Sequence, residues 1–308
     1  MERARVPVAV APTAAPWAVD AIRRGGGDPV RLDQGPLGLV WTDAGAVEEL
    51  RDVLRVSPQV SWVQLPMAGV ELVAEAGVLD HRRQWTSAKG AYAEPVAEHA
   101  LALLLAGLRH LPERARAQSW GKPAGLSLFD QPLTVVGGGG IAITLLRLLE
   151  PFRARVTIVR RSAEPVAGAA RTVETSRLHE ALAGAQAVVL TLALTPQSRG
   201  LIGRKELQAM DQSAWLVNVA RGALVDTGAL VEALRSRQIG GAALDVTDPE
   251  PLPTGHPLWN LPNCLITPHT ADTEQMTQPL LADRIAENVR RLATGQELIG
   301  RVDPDLGY

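Results

Sequence analysis

The chain has a single cysteine, Cys264. No internal disulfide can form, and a structural zinc site built on several cysteines is excluded. That scarcity fits a reducing compartment, so a cytoplasmic protein is expected. An excess of one charge is also missing: 31 basic residues stand against 33 acidic ones, a net charge of -2. Nothing in this balance points to a nucleic-acid partner, and no charge block reads as a tail. Long apolar runs are scarce too. The longest, "ALALLLAGL" at 100–108, is about half of a bilayer span. The start "MERARVPVAVAPTAAPWAV" places arginines before small apolar residues, as a signal peptide does. Pro7, Pro12 and Pro16 interrupt any apolar helix there, so "VPVAVAP" reads as a first buried strand. No targeting signal, no membrane partner and no nucleic-acid partner are expected. No His/Cys/Asp group has metal-ligand spacing, so no metal is expected either.

What is present is 308 residues, 46% hydrophobic and 21% charged, enough for one large or two ordinary globular domains. Short apolar runs alternate with helical patterns. "VPVAVAP", "LGLVWTD" and "VSWVQLP" read as strands, with "PWAVDAIRRGGG" and "AGAVEELRDVL" as the helices between them. The run 94–111, "EPVAEHALALLLAGLRHL", predicts a helix that is apolar nearly all round beyond His99, and hence covered by its own domain or by a partner subunit. Residues 119–132 read as a loop. The alternation then restarts with "LTVVG" and runs through "ARVTIVR", "AVVLTLAL", "AWLVNVA", "GGAALDV" and "NCLITPH". A final helix follows at about 273–294. Strands separated by helices predict parallel sheets covered on both faces.

The restart coincides with "VVGGGGIA", residues 135–142. As G-x-G-x-x-A it uses Gly137 for a tight turn out of the strand, Gly139 for close approach of a pyrophosphate, and Ala142 for helix–strand packing. Gly140 and Ile141 open the helix whose free N–H groups would face phosphates. At the end of the next strand an NAD-binding domain wants an acid for the ribose hydroxyls. This sequence offers Arg160, Arg161 and Ser162 instead, which suit a 2′-phosphate. NADP(H) is the expected cofactor, with NAD(H) possible. Three segments each end a strand: "LVNVARGALVD", "ALDVTDPEPLP" and "LITPHT". Ligands bind at the carboxyl ends of strands in open α/β sheets, so Arg221, Glu250 and His269 are the candidates to converge beside the nicotinamide.

"VAEHALALLLAGLR", "TPQSRGLIGRKELQAM", "VNVARGALVD", "LDVTDPEPLP" and "ITPH" together resemble the D-isomer-specific 2-hydroxyacid dehydrogenase family, of the glyoxylate/hydroxypyruvate reductase kind, over nearly the whole chain. The resemblance implies an α/β fold of two doubly wound parallel-sheet domains, with a Rossmann cofactor domain (95–275) inserted in a flavodoxin-like substrate domain (1–94 plus 276–308). It implies a cleft between them and a homodimer formed through the 94–111 helix region. It makes Arg221, Glu250 and His269 the catalytic set. Arg221 would grip the keto-acid carboxylate and polarise the carbonyl, and His269 would donate the proton. Glu250 would orient His269 and favour its protonated form. Formate dehydrogenases carry glutamine at the Glu250 position, so the carboxylate favours hydroxyacid chemistry. The resemblance adds Leu194, Thr195, Pro196 and Ala220 to the cofactor set, and places Asp245 on the nicotinamide side. It also matches "LPMAGVE" to the loop whose backbone N–H groups meet the substrate carboxylate, at Ala68 and Gly69 with Met67 nearby. Of the histidines, His81, His99, His110, His179, His256 and His269, only His269 follows a strand inside a matching motif, and His99, on an apolar helix, reads as structural.

The sequence departs from the family at Gly138, where a large apolar residue is usual, and at Gly140, where arginine is common. Both predict a more flexible turn. Ala271 and Asp272 replace a pair of small residues after His269, and an acid there would repel a carboxylate substrate unless it points away. The leading expectation is NADPH-dependent reduction of a small 2-keto acid. The alternative is a corepressor-like sensor of NAD(P)H, which would call for disordered tails or peptide-docking insertions that are not read here.

Overall fold

The computed structural model describes residues 5–307. The chain forms two compact units. One comprises the residues up to Tyr92 and those from Thr273 onward, the other Ala93–Asp272. The first unit begins with β1 (Pro7–Ala11), α1 (Pro16–Arg24), β2 (Asp28–Pro29), β3 (Gly38–Trp41), α2 (Val47–Val56), β4 (Trp62–Gln64), α3 (Glu71–Glu75) and β5 (Gln84–Thr86). The second contains α4 (Ala93–Leu108), α5 (Leu111–Arg116), β6 (Pro132–Val136), α6 (Gly140–Leu149), β7 (Arg155–Arg160) and β8 (Arg171–Glu174). It continues with α7 (Leu178–Leu182), β9 (Ala187–Leu190), α8 (Arg204–Ala209), β10 (Trp215–Asn218), α9 (Thr227–Arg235), β11 (Gly241–Leu244) and β12 (Cys264–Ile266). Helix α10 (Glu274–Thr294) returns to the first unit and packs on α1. No described helix is long and apolar enough to cross a membrane.

In the first unit five parallel strands lie in the order β2-β1-β3-β4-β5, the flavodoxin-like sequence of strands. In the second, seven parallel strands lie in the order β12-β11-β10-β9-β6-β7-β8. Counted from β6, that is the Rossmann order extended by one strand, and it reverses between β6 and β9. The central strands β9, β10 and β11 are buried at every residue, as strands covered on both faces must be. Each fully buried Val or Leu in them contributes roughly 1.5–3 kcal/mol of transfer free energy.

The structure differs from the sequence pattern in the small elements. β2, β5, β8, α3 and α5 are two to six residues long, too short to show a period, and β8 exposes Arg171 and Glu174 at the sheet edge. The apolar helix stops at Leu108, with His110 in the left-handed region at φ 53. Leu111 precedes Pro112, which disfavours continued helix and opens α5 instead. Nor is α4 covered all round within its unit. Ala93, Val96, Ala97, Ala100, Leu103, Leu104, Gly107 and Leu108 are buried, while Leu101 and Leu105 are half-buried.

Candidate functional site

The turn after β6 is built on glycine for a steric reason. Gly137 has φ 121, and a Cβ there would lie 2.5 Å from Thr191 Oγ1 and 2.9 Å from the Leu192 nitrogen. Only glycine lets the ends of β6 and β9 lie this close where the strand order reverses. Gly139 caps the N-terminus of the ten-residue α6, and a Cβ on it would meet nothing within 4 Å. The first N–H groups of α6, including those of Gly140 and Ile141, have no acceptor within the helix, and its dipole favours negative charge there. A Cβ on Gly138 would come within 3.1 Å of Arg160 Cδ. The missing side chain at 138 therefore makes room for the stem of Arg160, which gives that departure a packing reason. Arg160 ends β7, and Arg161 and Ser162 follow it. Beyond β9, Leu194, Thr195 and Pro196 lead into a closed turn: Thr195 N donates to Ser198 Oγ at 2.8 Å, and Ser198 Oγ donates to Ala193 O at 2.9 Å. An open glycine cradle, a helix N-terminus and neighbouring guanidiniums suit a phosphorylated dinucleotide.

Arg221, Glu250 and His269 follow the carboxyl ends of β10, β11 and β12. Buried Asn218 ends β10 and shapes the turn that delivers Arg221. Its Oδ1 accepts from Ala220 N at 3.0 Å and its Nδ2 donates to Arg221 O at 2.9 Å. Ala220 is buried, and its carbonyl accepts from an Arg221 Nη1 at 2.7 Å. The next residue, Gly222, packs so tightly that a Cβ would lie 1.9 Å from the Thr247 carbonyl. That contact clamps the loop after β10 onto the segment leading to Glu250. Thr247 N donates to Glu250 Oε2 at 3.2 Å, and Glu250 Oε1 lies 2.6 Å from His269 Nδ1. The two side chains are 41% and 43% exposed, so the pair is reachable from solvent. With Nδ1 engaged by the carboxylate, Nε2 is the nitrogen left to exchange a proton.

Asp245 directly follows β11. It is 2% exposed and its carboxylate serves the protein. Oδ1 accepts from Thr267 Oγ1 at 2.5 Å and from Thr270 N at 3.0 Å, and Oδ2 accepts from Ala271 N at 3.1 Å. His99 Nε2 lies 3.2 Å from Oδ1. Burial alone would push this carboxyl up, but the hydrogen bonds from His99, Thr267, Thr270 and Ala271 outweigh it and hold it at about 2. Asp272 is half-buried beside the set. Burial pushes its carboxyl up, the charges of His269 and Arg221 pull it down, and Asp245 pushes it up again. In the first unit, Ala68 and Gly69 lie in the turn between β4 and α3, next to Met67, whose carbonyl accepts from Ala88 N at 2.8 Å.

The family model for the NAD binding domain of D-isomer specific 2-hydroxyacid dehydrogenases matches residues 101–271, more than half of the chain. The chain belongs to this family. Over 68% of its length the dehydrogenase is 34% identical to a glyoxylate reductase of Aeropyrum pernix, covering 67% of that protein. It is 37% identical, over 81% of its length and 84% of the relative, to an uncharacterized protein from the proB 3′ region of Corynebacterium melassecola. Among solved structures, a D-isomer specific 2-hydroxyacid dehydrogenase from Xanthobacter autotrophicus in complex with NADPH and MES superposes with a TM-score of 0.85 at 26% identity. That match covers 99% of this chain and 100% of the other.

Several residues that shape the dehydrogenase's site lie inside the family-like segments, where no residue type or spacing singles them out. Asn218, Thr247 and Thr267 act through hydrogen bonds to turns, and His99 reaches the site from α4. The one signal available was a polar residue closing an otherwise apolar strand, as in "LVN" and "LIT". Among the remaining histidines, His179 pairs with Glu206 at 2.9 Å on the surface.

Proposed function

We propose that this dehydrogenase uses NADPH to reduce a small 2-keto acid, of the glyoxylate or hydroxypyruvate kind, to the D-2-hydroxy acid. The observation that carries the reading is the solvent-reachable His269–Glu250 pair, 2.6 Å apart, on strand ends of the sheet that carries the glycine turn. Gly137, Gly139, Gly140 and Ile141 would hold NADPH, which would supply the hydride when bound. His269 gives its Nε2 proton to the carbonyl oxygen as negative charge develops there, and takes it back in the oxidative direction. Glu250 fixes the ring through Nδ1. Arg221 binds the substrate carboxylate and polarises the carbonyl. In this reading the second unit binds the cofactor, with Leu194, Thr195, Pro196 and Ala220 lining it and Asp245 holding the nicotinamide-side loop. The first unit binds substrate.

Arg160, Arg161 and Ser162 recognise the 2′-phosphate, which supports NADP(H) over NAD(H), and the Xanthobacter relative's NADPH complex is consistent with it. The glyoxylate reductase relative supports the substrate class. A homodimer through the 94–111 region fits the half-buried Leu101 and Leu105 and the neighbouring loop, where Trp120 is 97% exposed.

The test is a panel of 2-keto acids followed by NADPH and NADH oxidation. Turnover of glyoxylate or hydroxypyruvate with NADPH is expected. NADPH binding without turnover of any 2-keto acid would overturn the assignment and favour a sensing role. Arg161→Asp should lower kcat/KM for NADPH by roughly 10- to 100-fold, the worth of one charge-assisted phosphate contact. Equal use of NADH and NADPH by the parent enzyme would overturn the 2′-phosphate reading.

A further inference from the structure

We propose that His99, on α4, is a positioning residue that holds His269 in its catalytic geometry. The proposal rests on the acid–base assignment of His269 and concerns a side chain that does not touch it. His99 Nε2 lies 3.1 Å from Thr267 Oγ1 and 3.2 Å from Asp245 Oδ1. The single hydroxyl proton of Thr267 is donated to Asp245 Oδ1, and an ionised carboxylate only accepts. Nε2 of His99 must therefore carry a proton and donate it toward both oxygens.

That donation completes a hub. The Asp245 carboxylate receives Thr267 Oγ1, Thr270 N, Ala271 N and His99 Nε2, while the Asp245 carbonyl receives His269 N at 2.8 Å. The segment 267–271 is wound around this one residue. It needs to be, because His269 sits at φ 49, in the left-handed region that a side-chain-bearing residue occupies only when its surroundings over-determine it. The loop supplies its own three donors. The fourth comes from α4, a separate element packed under β10 and β11, so His99 ties the loop to the helix. Without that donor, Thr267 Oγ1 loses the imidazole proton and the Asp245 carboxylate keeps three of its four donors, the loop loses its tie to α4 and relaxes, and His269 leaves Glu250. The glycine turn after β6 does not share these contacts.

The experiment compares parent, His99→Leu, His99→Gln and Thr267→Val for kcat, KM for the 2-keto acid, NADPH Kd and Tm. It also follows the low-field Nδ1 proton of His269 by NMR, assigned by its loss in His269→Ala. His99→Leu and Thr267→Val should lower kcat by roughly 10- to 100-fold, the usual penalty for removing an outer-shell partner. NADPH Kd should not change, and the Nδ1 signal should be broadened or lost. His99→Gln, whose amide N–H can stand in for Nε2, should recover most of kcat and the signal. Unchanged kcat and an unchanged Nδ1 signal in His99→Leu would overturn the proposal. So would a parallel loss of kcat, NADPH binding and Tm in the Leu and Gln variants, which marks a purely structural role. If His99→Leu does not fold, Thr267→Val and the Gln variant carry the same comparison. A parent enzyme without turnover would sink the acid–base reading alone, since the NMR signal still tests the tether.

Discussion

The turn after β6 and the loop after β12 close two strands of one sheet and treat space in opposite ways. The turn is kept free of side chains. Gly139 faces nothing within 4 Å, and Gly137 is glycine because Thr191 and Leu192 leave no room for a side chain. The loop is filled, since segment 267–271 surrounds a buried carboxylate that accepts from a hydroxyl, two backbone N–H groups and an imidazole. Under the proposed function, the difference teaches how one sheet would serve two ligands. A phosphate needs bare backbone donors and room. A proton-transferring imidazole needs a fixed orientation, which only packed hydrogen bonds provide. Binding and chemistry should therefore separate under mutation.

The largest test of that separation is His269→Ala. It should lower kcat/KM by roughly 10²- to 10⁴-fold, the usual worth of a positioned acid–base group, while NADPH Kd stays at the parent value in a fluorescence titration. Loss of NADPH binding along with turnover would break the separation.

The paired glycine variants sharpen the same contrast from the other side. Gly137→Ala forces a Cβ into Thr191 at φ 121 and should cost about 3 kcal/mol in chemical denaturation. Gly139→Ala meets no protein atom, so its stability should stay within about 1 kcal/mol of the parent, while NADPH Kd weakens. If Gly139→Ala binds NADPH as the parent does, the open space is not where the pyrophosphate approaches.

The empty side of this comparison was the more legible in the sequence. A glycine run between an apolar strand and an apolar helix, repeated in an α/β alternation, is a local pattern. Residues 135–142 display it within one window, and the segments ending in Arg221, Glu250 and His269 are nearly as compact. The filled side was not legible. The resemblance singles out Asp245, but nothing local names its partners, which are 22, 25, 26 and 146 positions away along the chain. Only the fold brings them together. The same limit hid β8, β5 and β2, which are short and held by neighbours rather than by their own period. It also hid the end of α4 at Leu108, which is decided by Pro112 and the turn at His110 rather than by apolarity.

Acid titration probes the filled side next. The Asp245 carboxyl is held at about 2 against an ordinary 3.8. A depressed folded value means its contribution is fully present above pH ~4 and is lost as pH falls from there toward pH ~2. The difference corresponds to about 2 kcal/mol. Asp245→Asn should be less stable than the parent at neutral pH and should lack this part of the acid-induced loss, as read from urea midpoints at several pH values. A parent and variant with parallel acid profiles would remove Asp245 from its place as the hub.

The smallest expected effect belongs to Asp272, which lies in the same loop as His269. Burial pushes its carboxyl up and the charges of His269 and Arg221 pull it back, so the group shares the field of the two side chains proposed to meet the substrate. A raised folded value reverses the sign found for Asp245. The stabilising contribution is present below the unfolded value and is lost as pH rises through the folded one. Asp272→Asn should therefore gain slightly in stability over the parent at neutral pH, and the gain should vanish in acid. Removing this negative charge should also raise kcat/KM by a few-fold for keto acids with a second carboxylate, and by less for glyoxylate. A variant that leaves the ratio between the two substrates unchanged would show that Asp272 points away from the substrate.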